Sequence, residues 1–396
     1  MNVLYYLDRF PKLSNSFIIN EIYELERRGH DVAVCSLNRP EQPLVHEEFD
    51  GLDVPIRYVD PPAYGNMGDL LSTRVLRPRV LKYSFYRTSP RNHAKNLFRA
   101  KRCIEFVDEL DRDVDHVHTH FASVSSCGAN YVASYYDVPF TMTTHAYDLY
   151  EEPVGPYMDH LLRSVDRIAT ISEYNRRYIR DRFGVETPID VVHAGIRPEK
   201  FAPTGSVVDN RILTVSRFVE KKGLRYALEA IAVVADRIPE VEYHVVGSGP
   251  LGPELERLVG DLRIEENVVF LHNVDDRRLI AEFGEARGFI LPCVIAESGD
   301  RDGIPVVLME AMATKTPPVS TRVSGIPELI DHGRNGLLVD PRDPDATADA
   351  VMRLLRNDEE WSDFRERARE TVVREFDIAK EVDKLEETFE AARASR

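Results

Sequence analysis

A strand-to-helix alternation that runs twice along the chain constrains its fold more than any other feature. Residues 3–7 are apolar, residues 11–14 read as a turn, and Phe17, Ile18, Glu21, Ile22 and Leu25 recur at helical spacing until Gly29 closes the helix. Residues 32–37 form the next buried strand, and such a βαβ unit implies a parallel sheet. Further strands are predicted at 116–119, 140–144, 167–171 and 189–193, each followed by helix-like or turn-rich sequence. Residues 197–210, RPEKFAPTGSVVDN, carry two prolines, a glycine and no apolar period, as a linker between domains should. The alternation then restarts, with strands predicted at 211–216, 242–247, 267–271, 288–292 and 317–321 and helices at 224–237, 251–261, 277–285 and 306–313. Residues 345–391 read as wholly helical, and the last part, 378–389, could return to pack on the first domain. The expectation is an α/β protein with Rossmann-like, doubly wound domains at 1–200 and 201–375, followed by a C-terminal helix at 376–396.

Composition excludes several classes. A chain of 396 residues exceeds the roughly 250–300 at which single cores stop growing, so two domains are expected. No apolar run reaches the roughly 18–20 residues of a membrane-spanning helix. The segment MNVLYYLDRFPKLSNS has no basic stretch ahead of an apolar one with a small-residue cleavage site, so a cytoplasmic location is the expectation. Cys35, Cys103, Cys127 and Cys293 form no CxxC pair, which argues against a zinc site, a redox dithiol or a disulfide framework and for buried thiols. The 51 basic residues, 41 Arg and 10 Lys, are outnumbered by 67 acidic ones, and a net charge of −16 repels nucleic acid.

The strongest chemical signal is residues 299–313, GDRDGIPVVLMEAMA, in which Gly303 and Pro305 precede an apolar helix. A loop feeding a helix N-terminus presents free N–H groups and a positive dipole end, which suits a diphosphate. Glu310, about one turn in, could accept bonds from both hydroxyls of a ribose, or it is a solvated helix residue. Residues 300–302 also match a D-x-D metal motif, as do residues 113–115, but in so acidic a chain such triplets recur by chance. His118 and His120, at i and i+2, point to one side of a strand at a spacing that could ligate metal; with no carboxylate or thiol evident nearby, a zinc site is rejected.

These residues resemble the retaining glycosyltransferases of family 4, two-domain enzymes of the GT-B architecture, whose signature is two acids separated by seven positions. Here the second acid is Glu310 and the first position is Asp302, where the family usually has glutamate, a departure that shortens the reach by one methylene. Residues 213–224, LTVSRFVEKKGL, look like the family's strand-to-helix turn, in which Arg217 and Lys222 would stabilise the departing diphosphate. Residues 245–250, VVGSGP, resemble its G-x-G-P turn; Gly247 and Gly249 permit close backbone approach to a ligand, or make an ordinary tight turn. Gly303, Ile304, Val306 and Val307 fall in its donor-binding segment, and Val274 follows His272 where relatives contact the nucleobase. The segment at 143–148, TTHAYD, is similar to the family's active-site histidine segment, which makes His145 the first-domain catalytic candidate. Where many relatives have a glycine-rich loop this chain has residues 10–17, FPKLSNSF, resembling the exopolysaccharide and colanic-acid branch; Ser14 and Asn15 would line the cleft or cap the helix after them.

The resemblance implies two Rossmann-like domains facing a central cleft, the first binding the acceptor and the second the nucleoside diphosphate sugar. It implies a retaining hexosyl transfer to a hydroxyl of a glycan or lipid-linked acceptor, with no metal and no cofactor. Two alternatives share the architecture: a sugar-nucleotide epimerase, and a non-catalytic nucleotide-sugar-binding partner subunit, which Asp302 makes conceivable. Between residues 72 and 102 the charge bias reverses, with ten positive residues, Arg74, Arg77, Arg79, Lys82, Arg87 and Arg91 among them, and no acid. Helices of this kind could bind the acceptor, pair with the fold's own acids, or lie on an anionic membrane at the inner face of the cell, each cation adding about 1 kcal/mol.

Overall fold

The structure, a computed structural model, describes residues 1–12, 15–40, 49, 51–59, 88–151, 155, 157–203 and 205–396. The chain divides into two compact units, Met1–His193 with Ile378–Arg396, and Ala194–Asp377.

In the first unit the strands are β1 (Asn2–Arg9), β2 (Asp31–Asn38), β3 (Ile56–Tyr58), β4 (His116–His120), β5 (Phe140–Thr144), β6 (Arg167–Thr170) and β7 (Ile189–Val191). They form one parallel sheet in the order β3-β2-β1-β4-β5-β6-β7. The helices are α1 (Ser16–Arg27), α2 (Pro90–Glu109), α3 (Cys127–Tyr136), α4 (Tyr147–Tyr150), α5 (Met158–Ser164) and α6 (Glu173–Phe183). Near-continuous apolar strands follow from burial on both faces. In β1, Val3, Tyr5 and Leu7 join the core under α1, while Leu4 and Tyr6 join the one that also holds Ala100, Cys103 and Phe106 of α2.

The second unit repeats the plan. Its strands are β8 (Val208–Val215), β9 (Glu242–Val246), β10 (Val268–Leu271), β11 (Ala286–Leu291), β12 (Pro318–Thr321) and β13 (Leu337–Val339), parallel in the order β10-β9-β8-β11-β12-β13. Its helices are α7 (Leu224–Ala235), α8 (Gly252–Leu262), α9 (Asp276–Glu285), α10 (Val306–Ala313), α11 (Ile326–Leu329), α12 (Pro344–Arg356) and α13 (Asp358–Glu375). In each sheet the order reverses beside the first strand, so the switch points lie at the C-terminal edges of β1/β4 and β8/β11, where open α/β sheets bind ligands.

The C-terminal tail is helical and consists of three helices. Asn357 ends α12, and its side chain accepts from Glu360 N to cap α13; after Phe376 the chain restarts as α14 (Ile378–Ala394). Helix α14 belongs to the first unit, where Ile378, Val382, Leu385 and Phe389 enter the core under α1. Arg28 reaches Asp383 at 2.6 Å and Glu386 at 2.5 Å, and Glu381 accepts from His193 N at 2.7 Å. Strands β3 and β13 were not anticipated; each has three residues, too few to show a period.

Candidate active site

In the second unit, the chain leaves β8 through residues 216–219, forms a 3₁₀ turn at Glu220–Lys222 and enters α7 at Gly223. Gly223 has φ +68°, and a Cβ there would lie 1.9 Å from Pro292 O, so only glycine lets this turn lie against the end of β11. The loop after β11 is pinned to the same turn: Val294 N donates to Lys221 O at 2.9 Å and Glu297 N to a Glu220 carboxylate oxygen at 3.0 Å. Two adjacent lysines thus meet the two acids of residues 300–302. Lys222 Nζ lies 2.6 Å from Asp302 Oδ2, while Lys221 Nζ lies 3.0 Å from Asp300 Oδ1 and 3.4 Å from Asp302 Oδ1.

Burial alone would raise the Asp302 carboxyl, but the charges of Lys222 and then Lys221 outweigh it and hold the group below its ordinary value. At Lys222 burial opposes the charge, and Asp302 outweighs it in turn, lifting the ammonium above its usual value. Burial, then the Asp302 charge, push the neighbouring Cys293 thiol up, so it stays protonated; its Sγ lies 3.6 Å from Asp302 Oδ2. A carboxylate that already holds two ammonium groups is a poor dication ligand, which removes the D-x-D reading of residues 300–302. The same contacts leave Lys222 with donors to spare, since an ammonium has three and Asp302 takes one.

The other sequence candidates distribute unevenly. Gly303 and Ile304 are buried, Val306 and Val307 half-buried at the first turn of α10, and Glu310 is that helix's fifth residue, also half-buried. Gly325 N donates to Gly303 O at 3.2 Å, which brings the loop after β12 against the start of α10. Two buried hydroxyls in the segments after β8 and β12, Ser216 Oγ and Ser324 Oγ, have no partner among the described residues and suit a ligand rich in acceptor oxygens. Arg217 is exposed, and Val274 packs half-buried against the core that holds α10. At Gly247 and Gly249 the missing side chains make room for the chain itself. A Cβ on Gly247 would lie 1.9 Å from Ser216 O, and one on Gly249 2.7 Å from Phe218 N and O, so both make room for the backbone after β8.

In the first unit, His145 follows β5 and lies at the end of a hydrogen-bonded chain. His145 Nε2 is 3.0 Å from His120 Nδ1, and His120 Nε2 is 2.9 Å from Glu21 Oε1, which also accepts from the Tyr5 hydroxyl at 2.6 Å. Phe17 and Phe121 flank the His145 ring at centroid distances of 4.8 and 4.3 Å. Asp148 anchors the segment by accepting from His145 N at 2.9 Å and Ala122 N at 2.7 Å. Burial pushes its carboxyl up to about 6 against the pull of those amides. Burial holds His116 down to about 3 and, together with neighbouring histidines, His118 and His145 well below the usual imidazole value, so all three are neutral. The sequence reading missed a carboxylate near His118 and His120: with Glu21 they bring three possible ligand atoms within 4.8 Å of one another. Both His118 nitrogens are engaged by the hydroxyls of Thr141 and Thr143, at 2.7 and 3.1 Å, which a cation would have to displace.

Asn15 stands at the N-cap of α1 without a side-chain capping bond, so the capping role foreseen for it is not made. Ser14, Arg74, Arg77, Arg79, Lys82 and Arg87 lie outside the described residues. Arg91 is on the first turn of α2, on one face with Lys95 and Arg99 at i+4 and i+8. Sequence reasoning also missed Lys221, Asp300 and Glu21. The two acids of residues 300–302 and the adjacent lysines hinted at the first two; a glutamate on an apolar helical stripe was the available sign of the third.

Comparison with known proteins agrees with this arrangement. The family model "Glycosyltransferase Family 4" matches residues 15–200, and "Glycosyl transferases group 1" matches residues 209–357. The chain is 26% identical over 395 residues to a putative colanic acid biosynthesis glycosyltransferase, WcaL, of Salmonella typhimurium, covering 95% of this chain and 96% of the relative. It is 38% identical over 173 residues to the amylovoran biosynthesis glycosyltransferase AmsK of Erwinia amylovora, covering 43% of this chain and 42% of that one. Among solved structures, HepE of Anabaena in complex with UDP superposes with a TM-score of 0.73 at 15% identity, covering 99% of this chain and 100% of that one. Two parallel Rossmann-like units, the acid and lysine constellation after β8 and β11, and family matches over both units converge: the chain is a glycosyltransferase of family 4 with the GT-B fold.

Proposed function

We propose that the chain transfers a hexosyl unit, with retention of anomeric configuration, from a nucleoside diphosphate sugar to a hydroxyl of a glycan or lipid-linked acceptor in exopolysaccharide assembly. The observation that carries the reading is the Lys221/Lys222 pair, held by Asp302 at the β8/β11 switch point beside the loop that starts α10. A leaving diphosphate gains negative charge as the glycosidic bond breaks. Ammonium groups fixed before the reaction stabilise that charge without reorganising. Lys222 supplies its remaining donors to the diphosphate, Arg217 adds a second cation, and the first turn of α10 presents free N–H groups. Glu310 accepts from the ribose hydroxyls. With cations of the chain in place, transfer proceeds without a divalent ion. His145 of the first unit accepts from a sugar hydroxyl.

The relatives named for colanic acid and amylovoran biosynthesis support a polysaccharide acceptor, and the UDP-bound neighbour supports a nucleotide donor. The exposed cations Arg91 and Lys95 at the start of α2 suit an acceptor carrying phosphate. They suit contact with anionic lipid equally, and no helix among the described residues is long and apolar enough to cross a membrane. Sedimentation with anionic vesicles tests the lipid contact; a chain that stays in the supernatant refutes it.

The test of the main reading is proton NMR of the product formed from a panel of sugar nucleotides, with and without lipid extract. An α-configured donor should yield an α-linked product and a nucleoside diphosphate. A β-linked product contradicts retention, and a changed sugar without acceptor indicates an epimerase. Binding without turnover indicates the partner-subunit role.

A further inference from the structure

The buried polar chain of the first unit has an order that decides how His145 is protonated. Glu21 occupies the apolar stripe of α1, between Ile18 and Ile22 and in line with Leu25, yet it is only 8% exposed. A carboxylate in such a position is costly unless it is hydrogen-bonded, and a leucine would serve packing better. Its oxygen Oε1 receives Tyr5 Oη–H at 2.6 Å and faces His120 Nε2 at 2.9 Å. Burial and the adjacent Glu21 charge hold the Tyr5 phenol far above its ordinary value, so Tyr5 donates.

A carboxylate only accepts, so His120 carries a proton on Nε2, and as a neutral imidazole it then presents a bare Nδ1. That nitrogen lies 3.0 Å from His145 Nε2, which must therefore be the donor. His145 is then left with an unprotonated Nδ1, which has no hydrogen-bond partner among the described residues. His120 lies under this chain stacked between Tyr5 and His145, at centroid distances of 6.0 and 5.3 Å, and its edge meets His118 at 5.0 Å.

We infer that Glu21, acting through His120, is a positioning residue that fixes His145 as the Nε2–H tautomer, leaving Nδ1 as a hydrogen-bond acceptor for a substrate hydroxyl. The inference rests on the glycosyltransferase reading for its functional consequence and on geometry for the tautomer. If a hydroxyl proton moves to Nδ1, the Nε2 proton passes to His120 Nδ1. The resulting imidazolium then lies beside the Glu21 carboxylate, and the number of protons is conserved.

Long-range proton–nitrogen correlation spectra of the full chain labelled with ¹⁵N-histidine, assigned by difference with His145→Asn, read the tautomer without substrate. The result stands even if the chain proves to transfer no sugar. The expected signature for His145 is a pyrrole-type Nε2 and a pyridine-type Nδ1; the reverse overturns the inference. In Glu21→Gln the amide can donate as well as accept, so a population with Nδ1–H on His145 should emerge. Transfer should then fall about 10- to 100-fold in kcat with donor KM nearly unchanged. A Glu21→Gln protein that keeps the parent tautomer, or whose loss is confined to KM, also overturns it. Should that variant fail to fold, the signature of the parent chain alone decides.

Discussion

Replacing Gly247 with alanine measures how strongly the fold itself requires a glycine there. Gly247 has φ +140°, and a Cβ there would lie 1.9 Å from Ser216 O, a backbone atom that cannot swing away. Backbone strain in this region costs about 1–3 kcal/mol. Moving the segment after β8 also threatens the bonds Ser216 N to Val246 O at 3.0 Å and Phe218 N to Ser248 O at 2.8 Å. Each is worth about 1 kcal/mol net, so Gly247→Ala should cost about 3–5 kcal/mol. Gly333 of the same unit is the control: its φ is +77°, nothing lies within 4 Å of an added Cβ, and Gly333→Ala should cost only the strain, about 1–2 kcal/mol. Trp361, the chain's single tryptophan, lies in this unit and donates to Arg287 O at 2.7 Å, so its fluorescence reports the unit's unfolding. With a urea m-value of about 2–3 kcal/mol/M, the Gly247→Ala midpoint should lie about 1 M below that of Gly333→Ala. Coincident midpoints would refute the steric argument.

Three further outcomes are expected. Asp302→Asn strips the carboxylate from two buried ammonium groups and should destabilise the second unit by about 3–5 kcal/mol in the same fluorescence assay. The pair's contribution is present above the ordinary aspartate value near ~4, lost as pH falls through the depressed Asp302 value, and lost again as pH rises through the raised Lys222 value. The gap between Asp302→Asn and the parent should therefore be flat from about pH 5 to 10 and close on either side; a gap constant down to pH 2 would contradict the pairing. Asp148, pushed up to about 6, stabilises the fold in its acid form, and that contribution is lost as pH rises through 6. Carbon-13 titration of its carboxyl should show a midpoint near that value, and one near 4 would be at odds with burial. Transfer activity should survive exhaustive chelation; loss on chelation with recovery on adding magnesium would show that the lysine pair is not sufficient.

The doubly wound architecture was legible because it is written in local periodicity. Strands such as β1 and β11 are apolar on both faces, and each is followed by a helix with its own stripe. The second-unit site was largely legible too, since Lys222, Asp302 and Glu310 sit at strand-to-helix junctions where a parallel sheet gathers its ligands. What escaped depends on which junctions become neighbours. Lys221 meets Asp300 across 79 positions, and Glu21 meets His120 across 99, because β1 lies beside β4 and β8 beside β11. No local pattern encodes those pairings. The glycines of residues 247–249 were ambiguous for a related reason, because a positive φ is visible in sequence only as a glycine, while the atom it makes room for belongs to a loop some thirty positions away.

The second unit is expected to hold a nucleoside diphosphate sugar between the lysine turn and α10. Equilibrium titration of UDP-, GDP- and ADP-sugars into the parent chain and Glu310→Ala tests it most directly. One donor class should bind the parent and lose at least about tenfold in affinity, or 1.4 kcal/mol, in Glu310→Ala with the Trp361 unfolding midpoint unchanged. Equal binding by both proteins, or by neither, would contradict it.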